Sequence, residues 1–202
     1  MTAAAIGLAC VGLLWRWAEI LFSFHMVQHL LLIAVIAPLL VLAGVRIRVP
    51  PIAGWLLFVA IFLFWHWPAA FQWAAGSPAT EVLELASILA AAMCFWSGVL
   101  GAGLSSDGAR ALLVVTAAVM TDLPGVIMLF SPRVICVMPG GNAGRFGLTP
   151  LQDQQLAGLL MWVPANLVFF AVATFLFARW IGAYDACANA SGPGATDKPA
   201  WR

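Results

Sequence analysis

Apolar residues dominate this chain in long runs, interrupted at intervals by short polar or Gly/Pro-rich stretches. A bilayer span needs about 20 mostly apolar residues. Six runs approach or exceed that: 1–15, which is short, then 20–44, 52–73, 82–102, 110–130 and 155–181. The breaks carry the expected punctuation. Arg16 and Glu19 close the first run, and Arg46, Arg48, Pro50 and Pro51 separate the second from the third. Gly76, Ser77 and Pro78 precede the fourth, and a Gly-rich loop runs from Ser131 to Pro150. Residues 185–202, rich in Ala, Gly, Pro and Asn, read as a disordered tail. The pattern predicts an all-α fold, a polytopic transmembrane helical bundle of about six spans over residues 1–184. No internal repeat is visible.

Composition agrees. The chain is 64% apolar and 8% charged, whereas soluble domains carry roughly a quarter charged residues. Nine Lys/Arg and eight Asp/Glu cannot cover a soluble domain of 202 residues with a polar shell. A net charge of +1 offers no electrostatic footprint for nucleic acid. Cys10, Cys94, Cys136 and Cys187 form no CxxC pair, so neither a disulfide framework nor a thiolate metal site is indicated. Residues 1–15 lack a basic n-region and read as a short first helix, not a signal peptide.

Polar residues inside lipid are costly and normally face a bundle interior or cavity. All three histidines lie within predicted spans. His25 and His29, in FSFHMVQHLLL, are four apart and share one helical face. His66, in FLFWHWPAAF, lies near the exit of the third span. Counting along straight helices puts these three roughly 7, 13 and 10 Å below the same membrane surface. Glu84 in EVLELAS, Asp122 in MTDLPG and Asp153 in LQDQQLAGLLMW enter the same half of the membrane. Each has a bland alternative. A single membrane histidine often only bonds a neighbouring helix, and Asp122 could help solvate the kink at Pro124. Trp65, Trp67, Trp73 and Trp162 read as interface anchors, and Met26, Met120, Met128 and Met161 as packing residues.

Two imidazoles on one helical turn and a third on the next helix make a facial nitrogen set. Imidazole suits copper, zinc, iron and nickel, and a thioether nearby tilts the choice toward Cu(I). Met26 follows His25 directly but points about 100° away from it. Zinc is the main competitor, because Asp or Glu beside histidine fits a catalytic zinc with an open position. Haem fits poorly, since His25 and His29 share a face and cannot occupy opposite axial positions.

The segments HMVQHLLL, WHWP and DQQLAGLLMW, in that order and each at the end of a span, resemble the CtaG-type cytochrome c oxidase assembly factors over roughly residues 20–180. The resemblance implies a multi-span protein that helps to build the copper site of a haem–copper oxidase. It points to His25, His29 and His66 as the functional histidines, with Asp153, Gln154 and Met161 in the last motif. The family's fourth span often opens with further histidine, where this chain has Glu81 and Glu84.

The expected function is therefore a non-enzymatic assembly factor of the bacterial inner membrane that binds copper transiently through His25, His29, His66 and Met26. Asp122, Asp153, Gln154, Met161 and Glu84 would support that site. Its partners would be the oxidase subunit carrying the active-site copper, a periplasmic copper donor and the lipid bilayer. Two alternatives stay open: an accessory scaffold that binds no metal, and an intramembrane zinc hydrolase using Asp122 or Asp153 as base.

With six spans, Arg46, Arg48, Arg110, Arg179, Lys198 and Arg202 fall on one side, and Arg16, Arg133 and Arg145 on the other. The positive-inside rule puts the first group in the cytoplasm. A reporter fused at Gly76 should read periplasmic and one at Ala195 cytoplasmic; a cytoplasmic reading at Gly76 inverts the topology.

Overall fold

The structure, a computed structural model, describes residues 9, 11–15, 17–101, 104, 106–136 and 138–190. Every regular element among them is helical. Helix α1 spans Phe22–Leu42, α2 Pro51–Trp65, α3 Pro68–Ala74, α4 Pro78–Leu100, α5 Asp107–Phe130 and α6 Pro150–Ala190. Four of these (α1, α4, α5 and α6) are long and apolar enough to cross a membrane, and α2 with α3 forms a fifth, bent span. The first predicted span lies mostly outside the described residues. Its described part is helical over 11–15 and holds Val11 buried, with the Val11 carbonyl accepting from Gln28 Nε2 at 3.0 Å. Helix α6 continues to Ala190, past the boundary expected at 185. The remaining tail residues, 191–202, lie outside the described residues.

Proline decides where the spans depart from straight helices. The sequence predicts one span over 52–73, but α2 and α3 meet at 79°. Pro68 has no N–H to donate and forces the preceding residue out of helical geometry; Trp67 is accordingly extended, at φ −73° and ψ 131°. His66, counted above as lying inside a straight span, is instead the residue that ends α2. In α1 the chain widens into a π-turn at Leu32–Ile36, one turn ahead of Pro38. The Trp96 indole N–H, from α4, donates to the Ile33 carbonyl there at 2.7 Å.

Small residues let the helices approach. Helices α5 and α6 form the most extensive pairing, and α2 packs along α4. At Gly158 a Cβ would stand 2.5 Å from the Gly125 carbonyl oxygen, and at Gly54 it would stand 2.8 Å from that of Cys94. Phe58, Phe95, Trp96 and Phe169 fill the centre of the bundle. Trp65, expected at the interface, is buried and donates to Ser87 Oγ at 2.8 Å, whereas Trp67 and Trp73 are exposed.

The two ends of the bundle differ in chemistry. At one, Asp107 receives Arg110 and Arg179, each at 3.1 Å. The other gathers the start of α1, the α2–α3 break, the start of α4, the 131–149 loop and the start of α6.

The Gly125–Gly158 crossing makes a direct prediction. Gly158→Ala should destabilise the protein by about 1–3 kcal/mol, because the added methyl must push two backbones apart. Gly182→Ala, where nothing lies within 4 Å, should be nearly neutral. Thermal unfolding in detergent compares the two, and equal midpoints would contradict the packing.

Candidate metal centre

Glu84 is the centre of the site. It lies on α4 two turns from the Ser77 cap, and its side chain is 0% exposed. Its carboxylate faces both histidines of α1, at 3.3 Å from His25 Nε2 and 3.5 Å from His29 Nε2. The His25 and His29 rings stand 4.6 Å apart, as the i, i+4 spacing requires. Donor atoms of these three residues can be chosen that all lie within 4.8 Å of one another.

Distance and direction disagree in an informative way. Both ring nitrogens of His25 and of His29, and both Glu84 oxygens, are buried without a hydrogen-bond partner. An unpaired buried polar atom costs about 1–3 kcal/mol. Six such atoms in one cluster are a poor structural network. One nitrogen from each ring and a Glu84 oxygen instead make a donor set of metal-site spacing: with bonds of about 2.0–2.1 Å, neighbouring ligand atoms of a tetrahedral site stand about 3.3 Å apart, against 3.3 and 3.5 Å between Glu84 and the two Nε2 atoms.

His66 adjoins this set. Its ring lies 5.3 Å from that of His29 and stacks on Phe62 at 4.1 Å. Its Nδ1 lies 2.7 Å from the Phe62 carbonyl oxygen, so Nδ1 carries the proton and donates, leaving the Nε2 lone pair free. Nε2 is buried and has no partner. A metal-binding histidine commonly uses its second nitrogen in this way.

The remaining predicted residues divide. Met26 is buried in the apolar core. Met161 lines, with His29, a small cavity of about 20 Å³. Asp153 does not join the histidines: its two oxygens accept from the backbone N–H groups of Phe22 and Ser23, at 2.8 and 3.0 Å. It therefore caps α1, whose own preceding residue, Leu21, supplies no side-chain cap. Gln154 accepts from the N–H groups of Ile135 and Cys136 and donates to the Met128 and Arg133 carbonyls, tying the loop to α6. Asp122 accepts from Asn166 Nδ2 at 3.0 and 2.9 Å, which ties α5 to α6. Burial pushes the Cys136 thiol up to about 11, which keeps it protonated and away from metal chemistry.

Residues 43–183 match the family described as cytochrome c oxidase caa3 assembly factor (Caa3_CtaG). The chain belongs to that family. It is a membrane-embedded cytochrome c oxidase assembly factor, and an oxidase is its partner. The matched segment contains His66, Glu84, Asp122, Asp153, Gln154 and Met161, whereas His25 and His29 precede it. No curated protein and no solved structure matches the chain.

Two features of the site were hard to see in the sequence. Glu84 read as a supporting residue because nothing there shows that α4 packs its first turns against α1. Phe71, whose ring meets His25 at 5.7 Å and Phe22 at 4.9 Å, reads as an ordinary apolar residue. Asp153 has a testable part in this family member. Asp153→Ala leaves two buried N–H donors unpaired and should cost about 2 kcal/mol. Hydrogen exchange at Phe22 and Ser23 should rise while the start of α6 stays protected; unchanged exchange at Phe22 would refute the cap.

Proposed function

We propose that this assembly factor takes up copper at His25, His29 and Glu84, with His66 as the adjoining fourth donor, and releases it for the oxidase active site. Copper is the cargo here, not a resident cofactor, and the chain performs no turnover. The observation that carries the reading is the convergence of buried, hydrogen-bond-free imidazole and carboxylate atoms on one point between α1 and α4. The carboxylate offsets the charge of the bound cation inside lipid, where an uncompensated charge is expensive. The imidazoles supply nitrogen donors suited to copper. A set of three or four ligands, short of a full cage, allows exchange with the next site.

The positive-inside distribution supports placing this end of the bundle on the periplasmic side of a bacterial plasma membrane. Two histidines and a carboxylate also form a known zinc-hydrolase set. Against the form of that reading that uses Asp122 or Asp153 as base, both are engaged elsewhere: Asp153 by the α1 N–H groups and Asp122 by Asn166.

Variants separate cargo binding from scaffolding. His29→Ala with His66→Ala should leave the protein inserted, since removing polar groups does not lower the hydropathy of their spans. Copper affinity should fall by more than the roughly 10–100-fold typical of losing a supporting residue. The oxidase assembled beside this variant should lack active-site copper, measured by metal analysis of the purified enzyme. A normal copper content there sinks the hand-over reading and favours an accessory scaffold.

A further inference from the structure

A second carboxylate stands beside the cluster on its outer side. Glu81 lies one turn before Glu84 on α4, so the two share a face. Glu81 Oε1 is 4.0 Å from His25 Nδ1, while Glu84 Oε2 is 3.3 Å from Nε2 of the same ring. The imidazole thus presents one nitrogen to each carboxylate, and neither nitrogen has a hydrogen-bond partner, although the side chain is only 2% exposed. Exposure falls in steps along the row. Glu19 is exposed, the Glu81 side chain is 12% exposed and that of Glu84 is 0% exposed. Glu19 is within electrostatic reach of Glu81 and is held by the Trp15 indole N–H at 3.2 Å. Among the described residues, neither Glu19 nor Glu81 has a lysine or arginine partner.

We propose that Glu81 is the port ligand through which a metal cation passes from the membrane surface to the buried site, with Glu19 as the outer attracting charge. This rests on the metal-site reading above and adds a route to it. A hydrated cation first meets Glu19 and Glu81, where water still reaches the ligand. It exchanges water for Glu81 and His25 Nδ1, then moves inward to His25 Nε2, His29 and Glu84. Successive donors on the inner part of this row are close: 4.0 Å from Glu81 to His25 Nδ1 and 3.3 Å from His25 Nε2 to Glu84. A carboxylate ligand that is partly wet releases a cation more readily than a dry one, which suits Glu81 to passage and Glu84 to retention.

The test uses the full-length protein in detergent, mixed rapidly with Cu(II), with absorbance reporting the uptake rate and metal analysis the final stoichiometry. Wild type should load one Cu(II) per chain. Glu81→Gln should reach the same stoichiometry about tenfold more slowly at low salt, the low end of electrostatic steering. That gap should narrow as ionic strength shortens the screening length toward about 8 Å. Glu19→Gln should slow loading less, and Glu81→Asp should restore part of the rate, so the test survives even if one variant folds badly. Glu84→Gln should lose the stoichiometric site. Loading of Glu81→Gln at the wild-type rate overturns the port, and so does loss of its stoichiometry, which would make Glu81 a ligand of the retained ion. Equal copper content in wild type and Glu84→Gln removes the buried site itself, and the port with it.

Discussion

A carboxylate with no exposed surface inside a membrane protein has to be neutralised by what surrounds it, and among the described residues the Glu84 carboxylate lies within 4 Å of two imidazoles. Three ionisable groups are therefore confined together in a medium where each would be costly alone. The arrangement dictates much of the bundle. Helix α1 must present the face of His25 and His29 to α4, and α4 must begin low enough for Glu84 to meet it. The α2–α3 break then has to bring His66 alongside. The large aromatic core made by Phe58, Phe95, Trp96 and Phe169 stabilises the helices beside this polar layer, and Phe58 and Phe169 line with His29 the small cavity next to it.

The motif around Asp153 and Gln154 bears on the histidines without touching them. Asp153 closes the open N–H groups of α1 from a helix more than a hundred residues away, where a carboxylate also complements the positive helix end. His25 follows within a turn of that cap, so the cap helps to set the ring's height and rotation. Gln154, fully buried, holds the backbone of the 131–136 segment with all of its amide hydrogen-bonding capacity pointed inward. A motif can thus be diagnostic of the family while its chemistry is structural.

Span positions, the pairing of His25 with His29 and the gathering of polar residues at one end were legible in the sequence, because each follows from local periodicity or from the cost of polar groups in lipid. The α2–α3 bend was less so: Pro68 was visible, yet hydropathy alone runs straight through WHWP. Trp65 was misread because interface tryptophans and core tryptophans have the same local surroundings in a sequence; only the Ser87 partner tells them apart. Glu84 and Asp153 carry the same supporting role in the sequence, yet Glu84 faces the histidines while Asp153 caps α1. Each is an acid near the start of a span, and what separates them is the element it packs against, a long-range fact with no local signature.

Every group of the candidate centre sits at or near a helix end, and this accounts for its precision better than core packing does. His25 and His29 occupy the first two turns of α1, Glu84 the second turn of α4, and His66 terminates α2. Side chains in the middle of a span are fixed by neighbours on all sides, but those near an end depend on how the end is closed. Here each end is closed differently: Asp153 caps α1, Ser77 caps α4, and His66 itself bonds back to the Phe62 carbonyl. Helix ends also lie near the membrane surface, so the same geometry that fixes the ligands keeps them within a turn or two of water. A buried cluster in the middle of the bundle could retain a cation but could not exchange one. A cluster at capped helix ends is held in place and lies near the surface, which is what the proposed uptake and release of copper would require.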